Sequence, residues 1–176
     1  MRAFLALNLN DEIKNKYSNI LRINENIAEL KKVSKDKMHI TLVFFDNIEE
    51  EQIELIKKEV INSSPTPFNI NLENISYFIN KFKDINVIFV KAVSDKLKDY
   101  VTSLRNNLDN IENLKYDKKD FKSHITLARV KKVYNNEKLK ENIEQIDFTA
   151  LSFIANSITL YKSDFVNYTE IFTINF

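Results

Sequence analysis

Two histidines are the residues best suited to chemistry in this chain, and each begins the same four-residue motif. The motifs are His39-Ile40-Thr41-Leu42 and His124-Ile125-Thr126-Leu127, and the sequence has no other histidine. Ile, Thr, Val and Phe favour extended chain, and side chains alternate between the two faces of a strand. His39 and Thr41 should share one face, as should His124 and Thr126, while isoleucine and leucine anchor each strand. We interpret the motifs as two halves of one site.

Two imidazoles that face one phosphate group can act as an acid and base pair. The pKa of an unperturbed histidine is about 6.5, so one ring can be protonated and the other neutral close to neutral pH. Two threonine hydroxyls can donate hydrogen bonds to the non-bridging oxygens and hold the phosphorus for in-line attack. The pattern predicts phosphate chemistry by His39, His124, Thr41 and Thr126, with no metal or other cofactor.

Other interpretations fit the motifs less well. A metal site is disfavoured because neither motif has a neighbouring carboxylate on the same face. A covalent phosphohistidine enzyme of the phospholipase D kind requires lysine two positions after the histidine, and a histidine-triad hydrolase requires histidine there. Ser123 is not an activated nucleophile, because adjacent strand residues point to opposite faces. A purely structural role for two identical motifs is the remaining alternative.

The composition excludes several classes of protein. With 176 residues, 44% hydrophobic and 29% charged, the chain resembles an ordinary globular domain. The absence of glycine excludes Walker-type phosphate loops and the dinucleotide fingerprint, and it should move tight turns onto Asn and Asp. There is no cysteine, and the net charge of +1 gives no support for sequence-independent binding of long duplexes.

No segment of the sequence suggests a membrane or a secretion signal. The apolar stretch at residues 3–7 is too short for a signal-peptide core, and no later run is long enough to span a bilayer. We therefore expect a soluble cytoplasmic protein, and a monomer.

Apolar periodicity predicts mixed helices and strands. A first helix capped by Asp11 should extend through apolar residues at 13, 17, 20, 23, 27 and 30, and a basic connector at 31–37 should lead into the first motif strand. Further helices are predicted at 49–61, 94–108 and 137–144. Strands are predicted at 2–9, 38–45, 68–78, 85–93, 121–130, 148–155, 157–161 and 168–176, with a hairpin turn at 80–84.

The order of these elements favours an α+β fold. The motifs are 85 positions apart, and each follows a helix and a basic connector. We expect residues 1–176 to form a single bilobal domain, with two similar lobes whose antiparallel sheets line a central cleft and whose helices lie outside.

The paired His-x-Thr-x motifs resemble those of the 2H phosphoesterase superfamily. The opening residues 1–7, the second motif as residues 121–129, residues 161–163 and the closing aromatic strand are similar to its RNA 2′,3′-cyclic phosphodiesterase group, also called 2′-5′ RNA ligase-like. The resemblance covers nearly the whole chain. It implies metal-free hydrolysis of RNA 2′,3′-cyclic phosphate ends to 2′-phosphomonoesters, with His39 as proton donor, His124 as proton acceptor, and Thr41 and Thr126 as phosphate ligands.

This chain departs from the family pattern at two places beside the motifs. Asp46 stands where the family usually has glycine, and Ser123 stands where it usually has proline. Loop shape and substrate preference are the properties that these changes affect most. A 2H phosphodiesterase acting on 2′-5′ linked oligonucleotides or small cyclic nucleotides is one alternative. A non-catalytic RNA-end binding module is the other.

Basic residues near the motifs are less specific signals. Arg129 could bind phosphate through its guanidinium fork, but strand alternation puts it on the face opposite His124 unless the strand bulges, which favours a structural ion pair. Lysines flank both motifs and could contact RNA at the rim of the cleft, although solvated loops are the more common role for such residues; they are Lys31, Lys32, Lys35, Lys37, Lys131 and Lys132.

Overall fold

Nine strands and four helices make up the computed structural model, which describes residues 1–176 and confirms an α+β fold. The strands are β1 (Ala3–Asn8), β2 (Ala28–Lys32), β3 (His39–Phe45), β4 (Phe68–Ile79), β5 (Ile85–Val93), β6 (His124–Val133), β7 (Leu151–Ala155), β8 (Ser157–Ser163) and β9 (Tyr168–Asn175). The helices are α1 (Asp11–Tyr17), α2 (Glu50–Asn62), α3 (Asp95–Leu108) and α4 (Asn136–Glu144), and a single 3-10 turn covers Lys35–Lys37.

The strands form one antiparallel sheet whose two halves meet at the motif strands. The order is β7-β4-β5-β6-β3-β1-β8-β9, and β2 pairs with β6 beside this path. Strands β3 and β6 are joined by the single residue pair Ile40 and Ile125, so that β1, β8 and β9 extend from one side and β5, β4 and β7 from the other. The two expected lobes are therefore continuous with each other through the centre of the sheet.

The helices pack on the apolar side of this sheet. Helix α2 contacts α3, α3 contacts β3, and α4 contacts β4 and β5. In α1, the Tyr17 ring stacks on Phe148 at 5.2 Å and its hydroxyl donates a 2.7 Å hydrogen bond to the Thr149 carbonyl. None of the helices combines the length and apolar character needed to cross a bilayer. That residues 1–176 act as one bilobal domain stays a prediction.

The first helix is shorter than predicted. It ends at Tyr17, and its N-cap is Asn10 instead of Asp11, because the Asn10 side chain accepts a 3.0 Å hydrogen bond from the Ile13 amide. The apolar residues beyond Tyr17 lie along the core without forming a helix, and residues 28–32 form β2 on β6. Strand pairing satisfies the backbone of β6, a tertiary effect that overrides the local helical spacing.

The prediction that Asn and Asp would take over the role of glycine in turns is wrong for most of the left-handed positions. Residues with positive φ are Ser64 (53°), Lys83 (66°), Asn113 (58°) and Phe165 (72°). In the 80–84 turn, Asn80 instead accepts hydrogen bonds from the backbone amides of Phe82 (2.9 Å) and Asp84 (3.1 Å). Asparagine stabilises this turn through its side chain, and a neighbouring lysine adopts the strained conformation.

The free energy of unfolding should be highly sensitive to substitutions at the single bridge between β3 and β6. Ile125 has no exposed surface, whereas Ile154 on β7 is 66% exposed. We expect Ile125→Ala to lower the free energy of unfolding by about 2 to 5 kcal/mol, because it leaves a cavity in the core. The same change at Ile154 should lower it by less than about 1 kcal/mol. Urea denaturation of both variants tests this, and equal losses would contradict it.

Candidate phosphate site

Each motif ends in a β-bulge at its leucine. In the pairing of β1 with β3, Ala6 is opposite Thr41 and Leu5 is opposite Val43, so that Leu42 is the extra residue. In the pairing of β5 with β6, Phe89 is opposite Thr126 and Ile88 is opposite Ala128, so that Leu127 is the extra residue. A bulge shifts the alternation of faces by one residue. The residue three positions after each threonine therefore joins the face of that threonine.

Arg129 and Phe44 occupy these equivalent positions. The prediction that Arg129 would lie opposite His124 and form a structural ion pair is wrong, because the bulge turns Arg129 to the His124 face and no carboxylate lies within ion-pair distance. Its guanidinium instead borders a cavity together with His124 and Thr126. Sequence alternation alone could not show this, since the bulge follows from pairing with β5.

The paired isoleucines bring the two motifs together. Both Ile40 and Ile125 are fully buried, and continuing their antiparallel register by one residue sets Thr41 opposite His124 and His39 opposite Thr126. These four side chains lie on the face away from the core. Thr41, His124 and Thr126 line one cavity of about 770 Å³, and His39 Nε2 lies 3.0 Å from the Thr41 hydroxyl.

Backbone carbonyls fix the orientation of both imidazoles in the same way. His39 Nδ1 donates to the Lys37 carbonyl at 2.8 Å, and His124 Nδ1 donates to the Lys122 carbonyl at 2.6 Å. A carbonyl oxygen can only accept, so the proton of each neutral ring is on Nδ1 and the Nε2 atom is the free base. His39 Nε2 accepts the Thr41 hydroxyl, whereas His124 Nε2 has no protein partner.

Aromatic side chains enclose both rings. Phe4 stacks on His39 with ring centres 4.7 Å apart, and Phe78 meets the His124 ring edge-on at 5.1 Å. Burial, with smaller contributions from Arg129 and from His124 when it is protonated, lowers the pKa of His39 to about 4 against the opposing effect of the Lys37 carbonyl. Burial also lowers the pKa of His124, with a smaller contribution from Arg129. Both rings are neutral near pH 7 when no ligand is bound.

The lysines singled out in the sequence are largely engaged elsewhere. Lys32 donates to the Leu21 carbonyl (2.8 Å), Lys37 donates to the Val166 carbonyl (2.5 Å), and Lys131 lies 3.5 Å from Glu29. Lys132 packs over the Tyr134 ring, whereas Lys31 borders a small cavity beside Arg129. Lys35 has no charged partner among the ion pairs of the structure.

Residues that the sequence reasoning missed line the main cavity. They belong to the irregular segment before the second motif and to neighbouring elements: Phe44, Phe78, Arg105, Lys118, Lys119 and Lys122. The run of lysines at 115, 118, 119 and 122 was the available signal. No group of three or more histidine or acidic side chains is arranged to hold a metal ion.

Comparison with known proteins identifies the family. The model of the AKAP7 2′5′ RNA ligase-like domain matches residues 4–173 of this chain. The chain belongs to this 2′-5′ RNA ligase-like family. A curated relative from Methanocaldococcus jannaschii, named RNA 2′,3′-cyclic phosphodiesterase, is 33% identical to it over 93% of this chain and 91% of its own length. A Thermotoga maritima relative of the same name is 28% identical over 93% and 87%.

Solved structures of other proteins share the α+β fold of this chain. A Thermus thermophilus protein, TT0787, superposes with a TM-score of 0.79 at 22% identity, covering 99% of this chain and 97% of its own. Escherichia coli LigT complexed with 3′-AMP superposes with a TM-score of 0.75 at 18% identity over the same shares. At these identities, the likeness supports the fold alone.

The lowered pKa of His39 should make the protein less stable in acid. Between pH 6.5 and about 4, the unfolded chain binds a proton that the folded His39 does not, so stability is lost as the pH falls through this window. The loss amounts to about 3 kcal/mol from this residue. His39→Gln should remove that part of the pH dependence in denaturant titrations, since the carboxylates are common to both proteins. Identical pH profiles for the two proteins would contradict it.

Proposed function

We propose that this protein is a hydrolase that opens RNA 2′,3′-cyclic phosphate ends to 2′-phosphomonoesters through an acid and base pair of histidines. The observation that carries the proposal is the pair of imidazoles, each held through Nδ1 by a backbone carbonyl. His124 and both motif threonines line one cavity, and His39 reaches it through the Thr41 hydroxyl. The curated relatives that bear the name RNA 2′,3′-cyclic phosphodiesterase support the same activity. The proposal also includes a monomer working in the cytoplasm.

In this proposal, substrate binding prepares the site. The Thr41 hydroxyl turns from His39 Nε2 to one non-bridging phosphate oxygen, and the Thr126 hydroxyl and Arg129 guanidinium bind the other. An adjacent phosphate anion raises the pKa of both histidines by stabilising their charged forms. His39 can then take a proton on Nε2, although its pKa is about 4 without ligand.

The chemical step moves two protons in opposite directions. The neutral His124 Nε2, which has no protein partner, accepts a proton from water as the water oxygen attacks phosphorus. The bond from phosphorus to the 3′ oxygen breaks, and protonated His39 donates its Nε2 proton to that oxygen. The phosphate stays on the 2′ oxygen. Exchange with solvent then returns His124 to its neutral form.

The walls of the cavity fit a nucleotide. Its volume of about 770 Å³ lies in the range of small-molecule sites, and the rings of Phe44, Phe78 and Phe121 provide apolar surface for a base. The same features would accept a small cyclic nucleotide or a 2′-5′ linked oligonucleotide, which are the alternative substrates. A module that only binds RNA ends would use the same cavity without turnover.

Phosphorus NMR of a short RNA ending in a 2′,3′-cyclic phosphate, incubated with the protein in excess EDTA, tests the activity. We expect conversion to a 2′-phosphomonoester, and a decrease in kcat of about 100-fold or more in each of His39→Ala and His124→Ala. Binding without any product from cyclic or 2′-5′ linked substrates would instead support the binding module. Wild-type rates in both variants would refute the mechanism.

Arg129→Leu should impair catalysis and also change the titration of the histidines. Removing a donor to the phosphate oxygens should lower kcat/KM by about 10- to 1000-fold. Loss of its positive charge should raise the pKa of His39 and of His124, as NMR titration of the ring resonances can measure. Lys131→Leu on the same strand is the control, and similar effects of both changes would count against a specific role for Arg129.

A further inference from the structure

The cavity at the motifs continues into a second one along the outer face of α3. The second cavity, of about 600 Å³, shares with the first the side chains of Arg105, Lys118, Asp120, Phe121 and Lys122. It extends from them to Lys98 and Thr102 on α3. Together the two cavities form a groove, which we call the α3 groove, that begins at the phosphate site and is large enough for more than one nucleotide.

The α3 groove concentrates positive charge in a nearly neutral protein. Two acidic side chains, Asp117 and Asp120, line it against six basic ones, which are Lys98, Arg105, Lys118, Lys119, Lys122 and Arg129. The chain as a whole has 26 basic and 25 acidic residues. The ion pairs of Lys118 with Asp109 and of Lys119 with Asp117 are exposed to solvent, so both lysines remain available to an anion.

The irregular wall of the α3 groove is held in place by hydrogen bonds to its backbone. The Asp117 amide donates to the Phe44 carbonyl at 2.9 Å, and the Arg105 guanidinium donates to the Lys119 carbonyl at 2.7 Å. These bonds tie residues 117–119 to β3 on one side and to α3 on the other. The lysines of this segment therefore extend from a fixed backbone.

The space on the other side of the site is much smaller. The cavity that borders His39 together with Tyr161 and Tyr168 has a volume of about 190 Å³, below the size of ordinary nucleotide sites. The cavity between Arg129 and the 165–168 turn measures about 180 Å³. The α3 groove is thus the favourable path for a chain that leaves the phosphate site.

We propose that the α3 groove binds the RNA strand that precedes the terminal cyclic phosphate, so that the preferred substrate is an oligonucleotide and not a mononucleotide. This inference rests on the proposed function. The terminal nucleotide occupies the inner cavity against Phe44 and Phe78, and the phosphates upstream of it meet Lys122, Lys118 and finally Lys98. Recognition is by charge and is independent of sequence.

A series of substrates of increasing length tests the proposal. Steady-state kinetics would compare a nucleoside 2′,3′-cyclic phosphate with di-, tri- and tetranucleotides that end in the same group. We expect KM to fall by about tenfold from the mononucleotide to the trinucleotide, with little change in kcat. The fall should shrink as salt increases, with a slope of about 0.7 for each additional phosphate that the groove neutralises.

Lys98→Glu and Lys96→Glu form a matched pair on one helix. Both lysines are exposed on α3, but only Lys98 borders the groove. Lys98→Glu should raise KM for the trinucleotide by about three- to tenfold and leave the mononucleotide unchanged, whereas Lys96→Glu should change neither. Thr102→Lys, which adds a charge beside Lys98, should lower KM for the trinucleotide.

Three results would overturn the inference. They are a KM independent of length, equal effects of the two lysine changes, and an equal effect of Lys98→Glu on both substrates. Failure of the wild-type protein to hydrolyse any length would count against the proposed function instead, so the two failures can be told apart.

Discussion

The pairing of Ile40 with Ile125 is the contact on which the rest of the molecule depends. It is the one bridge between the two motif strands, and neither side chain has any exposed surface. Burial of two isoleucines contributes several kcal/mol, at about 1.5 to 3 kcal/mol each. Because side chains alternate along a strand, the same pair that closes the core also turns both histidines and both threonines to the opposite face. The same pair of residues thus contributes to the stability of the fold and sets the geometry of the site.

The environment of the histidines explains why neither imidazole ring is charged before a ligand binds. Aromatic enclosure and Arg129 keep both rings neutral, and the Thr41 hydroxyl occupies His39 Nε2. Two neutral imidazoles beside one guanidinium give a pocket with a positive charge but without strong repulsion among its own side chains. An incoming phosphate supplies the negative charge that makes a protonated histidine favourable. In the proposed mechanism, protonation of His39 is therefore coupled to recognition.

The sequence was sufficient for the features that depend on local pattern. The repeated motif made His39, His124, Thr41 and Thr126 the candidate site residues, and alternation predicted which side chains share a face. Predictions about features that depend on pairing between distant strands were wrong, or those features were missed. Arg129 was misplaced because Leu127 bulges only in response to β5, and residues 28–32 pair with β6 although their spacing fits a helix. The lysines at 118, 119 and 122 form a recognisable cluster only in the folded chain, where they line the α3 groove.

The side chains that follow the two bulges make the halves of the site different, although the backbone of the two halves is alike. Both motifs have the same residues, the same carbonyl contact and the same extra leucine, so the peptide framework is close to twofold symmetric. A symmetric framework does not by itself distinguish the two histidines as acid and base. The two halves differ three positions after the motif threonine, where one half has Phe44 and the other has Arg129. A ligand in this cavity therefore meets a positive charge from the second motif strand and an aromatic ring from the first, through two side chains, Phe44 and Arg129, that neither motif contains.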